Sequence, residues 1–168
     1  MWLLTQKRIQ CRTVLLKKKV VQSSACEICG EADETPEHIM CGCNLAKELW
    51  QHLNMPSMLA VDMDSIHTIT PRGGIPHDKF PTFLALVCWH LWKARNVMVF
   101  RNELQSLSQV LAACKHAAEQ WRYRFSRKKK HLADAWCQIF TMARQGPFWT
   151  LGRALIVLGT QISNRIQA

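Results

Sequence analysis

Cys26, Cys29, His38 and Cys43 fall within eighteen residues, spaced as CxxC, eight residues, His, four residues, Cys. Two cysteines separated by two residues reach one tetrahedral ion from a single tight turn, and a later His and Cys close the site from the far side. This is the spacing of a zinc knuckle. Between the pairs runs Gly30-Glu31-Ala32-Asp33-Glu34-Thr35-Pro36-Glu37, too polar to order itself by burial. A structural Zn²⁺ is expected to supply that order, at about 10 to 16 kcal/mol apparent in small finger peptides. Cys41 rivals Cys43 for the fourth position, because His-x2-Cys also has the reach. Cys43 is preferred, since the helical run over residues 44–50 sets a helix N-terminus beside its thiolate.

Eight cysteines would also suit a disulfide framework, but residues 1–4 lead directly into charged sequence with no secretory leader. A reducing intracellular compartment, nuclear or cytoplasmic, is expected. The longest apolar stretches, residues 83–92 and 148–162, are interrupted by His90 and Arg153. They fall short of a membrane span of about 20 residues, so no membrane association is expected. Four protein ligands leave zinc no open position for water or substrate, which argues for structure over catalysis. Asp62 and Asp64 stand close together without a supporting motif, and no catalytic residue is expected.

The net charge of +10 favours a polyanionic partner. Residues 1–25 carry Lys7, Arg8, Arg12, Lys17, Lys18 and Lys19 and no carboxylate, whereas residues 26–50 carry six carboxylates against Lys47 alone. Three thiolates around one Zn²⁺ add a further negative charge, so the knuckle itself is a poor phosphate surface. Contact with RNA or DNA, non-specific and through phosphates, is expected from Arg8, Arg12, Lys17, Lys18 and Lys19 and from Arg127, Lys128, Lys129 and Lys130. The competing reading of these cations is a solvated helix face.

Hydrophobic spacing predicts a lead-in helix over residues 5–20, with Ile9, Val14, Leu15 and Val20 inward. A short helix over residues 43–53 is expected to bury Leu45, Leu49, Trp50 and Leu53. A third helix over 81–100 has the stripe Phe83, Leu84, Val87, Leu91, Ala94 and Met98, thickened by Trp89 and Trp92. Arg95 on that helix is expected to hold helices together through backbone carbonyls. Ser106 reads as an N-cap opening a fourth helix, and Leu132, Trp136, Ile139, Phe140 and Ala143 mark a fifth that Gly146-Pro147 stops. Cys88, Cys114 and Cys137 read as packed small residues, and His90, His116 and His131 as ordinary helix residues. The expected fold is mainly α: a small zinc knuckle followed by an amphipathic helical hairpin or three-helix bundle. Its expected division is a zinc-binding domain with a basic lead-in helix (1–55), a linker (56–79), the hairpin or bundle (80–145) and an apolar tail (146–168).

Cys26-Glu27-Ile28-Cys29-Gly30, Glu34-Thr35-Pro36-Glu37-His38-Ile39, Gly42-Cys43 and Ala46-Lys47-Glu48-Leu49-Trp50 resemble the zinc-binding region C-terminal to the reverse transcriptase of plant LINE-type (non-LTR) retrotransposons. Residues 8–12 are similar to that family's lead-in helix, and Trp89-His90-Leu91-Trp92-Lys93-Ala94-Arg95-Asn96 to the tryptophan helix that often follows. The resemblance implies Cys26, Cys29, His38 and Cys43 as zinc ligands and a nucleic-acid-associated, non-catalytic role. The chain lacks a Tyr-x-Asp-Asp polymerase signature, since its lone tyrosine is Tyr123, followed by Arg124. It reads as a truncated fragment, with exposed apolar helix faces available for self-association or scaffolding.

Overall fold

The computed structural model describes residues 8–60, 65–66, 69–70 and 75–146. Among them five α-helices form: α1 (Arg12–Lys17), α2 (Asn44–His52), α3 (Phe80–Arg101), α4 (Leu107–Trp121) and α5 (Lys130–Gln145). No strand forms among the described residues, and one antiparallel bridge joins Ala25 to Asp33. The architecture is mainly α, with the cysteine and histidine cluster ahead of the long helices.

The lead-in helix is shorter than its periodicity predicts, and both ends have a physical cause. At its start, the Arg12 N–H donates to the Glu34 carboxylate at 2.7 Å and the Thr13 N–H to the Glu34 carbonyl at 3.2 Å. A distant acidic residue thus caps the first turn, where a negative charge is favourable. At its end, Lys19 takes the left-handed conformation (φ 58°), while Lys19 N–H bonds to Leu16 O and Val20 N–H to Leu15 O. That paired closure terminates a helix even without glycine. Cys11, at the helix entrance, is fully buried, and Val20, expected inward, is exposed. Residues 5–7 lie outside the described part.

Helix α3 is apolar on more than one face because it is central. Leu86, Cys88 and His90 are buried alongside the predicted Phe83, Leu84, Val87, Leu91 and Ala94. Trp89 departs from the prediction, being 55% exposed, and Met98 is only half-buried. Pro81 sits in the first turn, where its missing N–H costs nothing, and left-handed Asn102 closes the last.

Ser106 caps α4 in a reciprocal box: its hydroxyl accepts from Gln109 N–H at 3.3 Å, and its own N–H donates to Gln109 Oε1 at 2.7 Å. Helix α5 returns antiparallel, since Arg122 at the end of α4 meets Asp134 at 3.4 Å and Arg144 at the end of α5 donates to Ser108 at 3.2 Å. Phe83 stacks on Phe140 (5.3 Å, 10°) and meets the Trp136 ring edge-on at 5.6 Å, so rings from α3 and α5 share one centre. Trp136 is fully buried with no acceptor for its indole N–H among the described residues, a cost that this ring packing must outweigh.

A single hydrophobic cluster runs from Cys11 to Ala143. Helix α2 enters it through Leu49 and Trp50, both fully buried, and His52 Nδ1 donates to the Ala143 carbonyl on α5 at 2.7 Å. Met58, Ile66, Ile69 and Ile75, all from the expected linker, are buried in the same cluster. The core therefore crosses both expected boundaries of that segment. Cys88 and Cys114 are buried and Cys137 half-buried, while His116 and His131 are exposed. Asp62, Asp64 and the tail beyond Gly146 lie outside the described residues.

Candidate metal centre

Two backbone turns bring the four sequence-predicted residues together. In the first, Cys26 N–H donates to Ala32 O at 2.8 Å and Gly30 N–H to Cys26 O at 2.7 Å, folding the CxxC segment back on itself. Gly30 holds φ +72°, which glycine adopts without the strain of a Cβ. In the second, Thr35 Oγ1 accepts from His38 N–H at 3.0 Å and opens a π-helical turn, His38–Gly42. That wide turn closes with Cys43 N–H on His38 O at 2.7 Å. It carries His38 and Cys43 to one side and buries Ile39, Met40 and Cys41 on the other.

The result is a cluster whose donor atoms, three Sγ and one imidazole nitrogen, all lie within 4.8 Å of one another. Cys29 Sγ is 3.3 Å from His38 Nε2 and Cys26 Sγ is 4.0 Å from Cys43 Sγ. Ligand atoms around tetrahedral Zn²⁺, at about 2.3 Å for sulfur and 2.1 Å for nitrogen, stand about 3.6 to 3.8 Å apart. The cluster brackets that separation and is able to hold a metal ion. Cys41, the rival fourth residue, is not in it; burial in the core pushes its thiol up to about 12.

The electrostatics suit a cation. The Cys26 thiol is pulled down, first by its hydrogen bond with the Cys43 thiol and then by the backbone N–H groups of Cys29 and Ile28, against burial. The same hydrogen bond, together with burial, pushes the Cys43 thiol up. A positive ion between two sulfurs this close favours the ionisation of both. Cys43 also caps α2, whose N-terminal end favours a thiolate.

Gly42 entered the sequence reading only as part of the Gly42-Cys43 motif, and its role is steric. A Cβ built there would stand 3.1 Å from His38 Nδ1. The ring must give way by a few tenths of an ångström, which shifts a ligand, so Gly42→Ala is expected to weaken zinc affinity about tenfold, as loss of a ligand's outer support does. Competition against a chromophoric chelator measures this, and parental affinity in the variant would show the ring position to be immaterial.

Glu34 corrects the expectation that only a metal orders this loop. Its side chain is fully buried and accepts from Arg95 Nη2 at 2.5 Å and Nε at 3.0 Å, in addition to the Arg12 N–H. Arg95 thus has the structural role expected of it, but through a buried carboxylate instead of backbone carbonyls. The pair ties the knuckle to α3.

Residues 1–50 match the family model described as zinc-binding in reverse transcriptase. That match spans α1, the cluster and most of α2, and stops short of the three long helices. No curated protein and no solved structure matches the chain. Residues 1–50 are called the zinc-binding region below, after the description of the family model they match.

The predicted phosphate-binding cations lie on separate elements. Lys17, Lys18 and Lys19 are exposed at the end of α1, while Arg127, Lys129 and Lys130 are exposed at the turn into α5. Lys128 lies in that turn, and Arg8 is exposed ahead of α1. Arg12 differs from the others: its guanidinium pairs with Glu27 and donates to the Ser23 carbonyl at 3.2 Å. It braces the zinc-binding region and is not presented to solvent as a phosphate contact.

Proposed function

We propose that the chain is a non-catalytic, zinc-stabilised module, derived from a plant LINE-type retrotransposon polyprotein, that binds RNA or DNA weakly and without sequence preference. Cys26, Cys29, His38 and Cys43 are its zinc ligands. The observation that carries this reading is the coincidence of that four-residue cluster with a family match over the same residues. Support for the nucleic-acid part comes from the net charge of +10 and the exposed cations at the end of α1 and at the turn before α5. Zinc here supplies a folded platform, and its four protein ligands leave no position for a substrate. No helix among the described residues is long and apolar enough to cross a membrane.

Phosphate contacts have a signature in salt. Each phosphate neutralised on a single strand contributes a slope of about −0.7 in log affinity against log salt. Titration of a fluorescent oligonucleotide at rising potassium chloride is expected to show affinity falling steeply. Equal binding at low and high salt, or none at either, would overturn the reading.

One observation favours a second reading, a scaffold fragment without selected activity. Phe100 and Leu104 are 79% and 64% exposed at the corner between α3 and α4. Self-association through such apolar surface persists or strengthens as salt rises, the reverse of phosphate binding.

A further inference from the structure

We infer that the groove between α3 and α4 is a stacking platform for the unpaired bases of a single-stranded nucleic acid. The inference deepens the nucleic-acid reading above and rests on it, and adds a site outside the zinc-binding region.

Trp89 is the leading observation. Helix α3 buries most of its large side chains, yet Trp89 is more than half exposed. Its ring packs on Trp92 at 5.1 Å with 29° between the planes. An exposed indole braced by a second indole loses little rotamer freedom when a flat ligand settles on it. Across the groove, on α4, stands Trp121, with the Arg124 guanidinium 5.7 Å from its ring centre. The groove between them holds about 540 Å³, within the range of ligand clefts, about 300 to 1,000 Å³.

The charges lining it select the ligand. Lys93, Arg124, His90 and His116 face the groove, and among the described residues no carboxylate lines it. The adjacent Glu119 lies 3.7 Å from His116. Burial, with Lys93 nearby, pulls the His90 imidazole down to about 4, so it offers hydrogen bonding without charge at neutral pH. Aromatic faces flanked by cations match a base joined to a phosphate, and stacking is tolerant of which base it is. A peptide partner would find two cations and few aliphatic contacts.

The test uses the full zinc-loaded chain and two fluorescent strands of about twelve nucleotides, one of thymidine and one abasic throughout, a length within the site sizes of single-strand binders. The parent chain is expected to prefer the base-bearing strand by about 5- to 150-fold, the range of one stacked base. Trp89→Ala is expected to collapse that preference, and Trp89→Phe, which keeps a π-face, to restore most of it. Arg124→Gln is expected to weaken binding in the same direction and stands in should Trp89→Ala misfold. Substituting Lys17, Lys18 and Lys19 together by Gln is expected to weaken both strands alike. Equal binding of the two strands by the parent, or a preference that survives in Trp89→Ala, overturns the platform while leaving the phosphate reading intact. Failure to bind either strand at low salt overturns both.

Discussion

Replacing Cys29 and His38 together by alanine is expected to abolish zinc binding and open the zinc-binding region, with protease cleavage appearing first within residues 26–43. Magnitudes decide the outcome. Structural zinc contributes about 10 to 16 kcal/mol apparent in finger peptides, whereas a whole domain is stable by about 5 to 15 kcal/mol. The bonds that remain include the Ala25 to Asp33 bridge, the Cys26 N–H to Ala32, the Gly30 N–H to Cys26, the turn at His38–Gly42 and the buried Glu34–Arg95 pair. None of them approaches the strength of a metal site. Helix α2, anchored by fully buried Leu49 and Trp50, is expected to resist cleavage longer than the loop ahead of it. Limited proteolysis with mass mapping reads this order. Retention of both zinc and protease resistance in the double variant would show that the metal, if bound, sits elsewhere.

Arg95→Met is expected to destabilise the chain by about 3 to 5 kcal/mol, the range for stripping one partner from a buried ion pair. Glu34 is fully buried and Arg95 is 3% exposed, so neither charge has water to return to. With Arg95 gone, the Glu34 carboxylate keeps the Arg12 N–H as its one remaining donor among the described bonds. Glu34→Gln strands the guanidinium instead and is expected to act in the same direction. Changing both, Glu34→Gln with Arg95→Met, is expected to cost less than the sum of the two, because no unpaired charge is left. Urea unfolding of the four proteins completes the cycle. A loss below about 1 kcal/mol in Arg95→Met would place the pair with exposed salt bridges, which contribute that little.

The parts of this fold that depend on neighbours along the chain were legible. CxxC with a later His and Cys is short-range chemistry, and the reciprocal cap of Ser106 and Gln109 spans one helical turn. The helices over 43–53 and 81–100 follow from apolar spacing, with observed ends that differ by one residue, as does the helix marked by Leu132, Trp136, Ile139, Phe140 and Ala143 ahead of Gly146. What stayed hidden depends on partners far apart in sequence. Glu34 looked like one more carboxylate in a polar loop, and nothing local says that it meets Arg95, 61 residues later, or starts α1. The available signal was Arg95 itself, a cation embedded in a helix that is apolar on nearly every face. Trp89 misled in the opposite sense: helical spacing placed it with the core, but the stack on Trp92 leaves its ring outside. The helix that starts after Cys43 already favoured it over Cys41, but the π-helical turn that turns the two thiols apart is announced by no periodicity. Arg12 counted as one cation among six until Glu27 and Ser23 were found around it.

The central claim is that one metal ion organises Cys26, Cys29, His38 and Cys43. Metal analysis of the purified, reduced chain tests it most directly. One zinc per chain, lost on replacement of Cys29 and His38, is the expected result. A metal-free preparation in which residues 26–43 resist protease as well as they do in the presence of added zinc would contradict it.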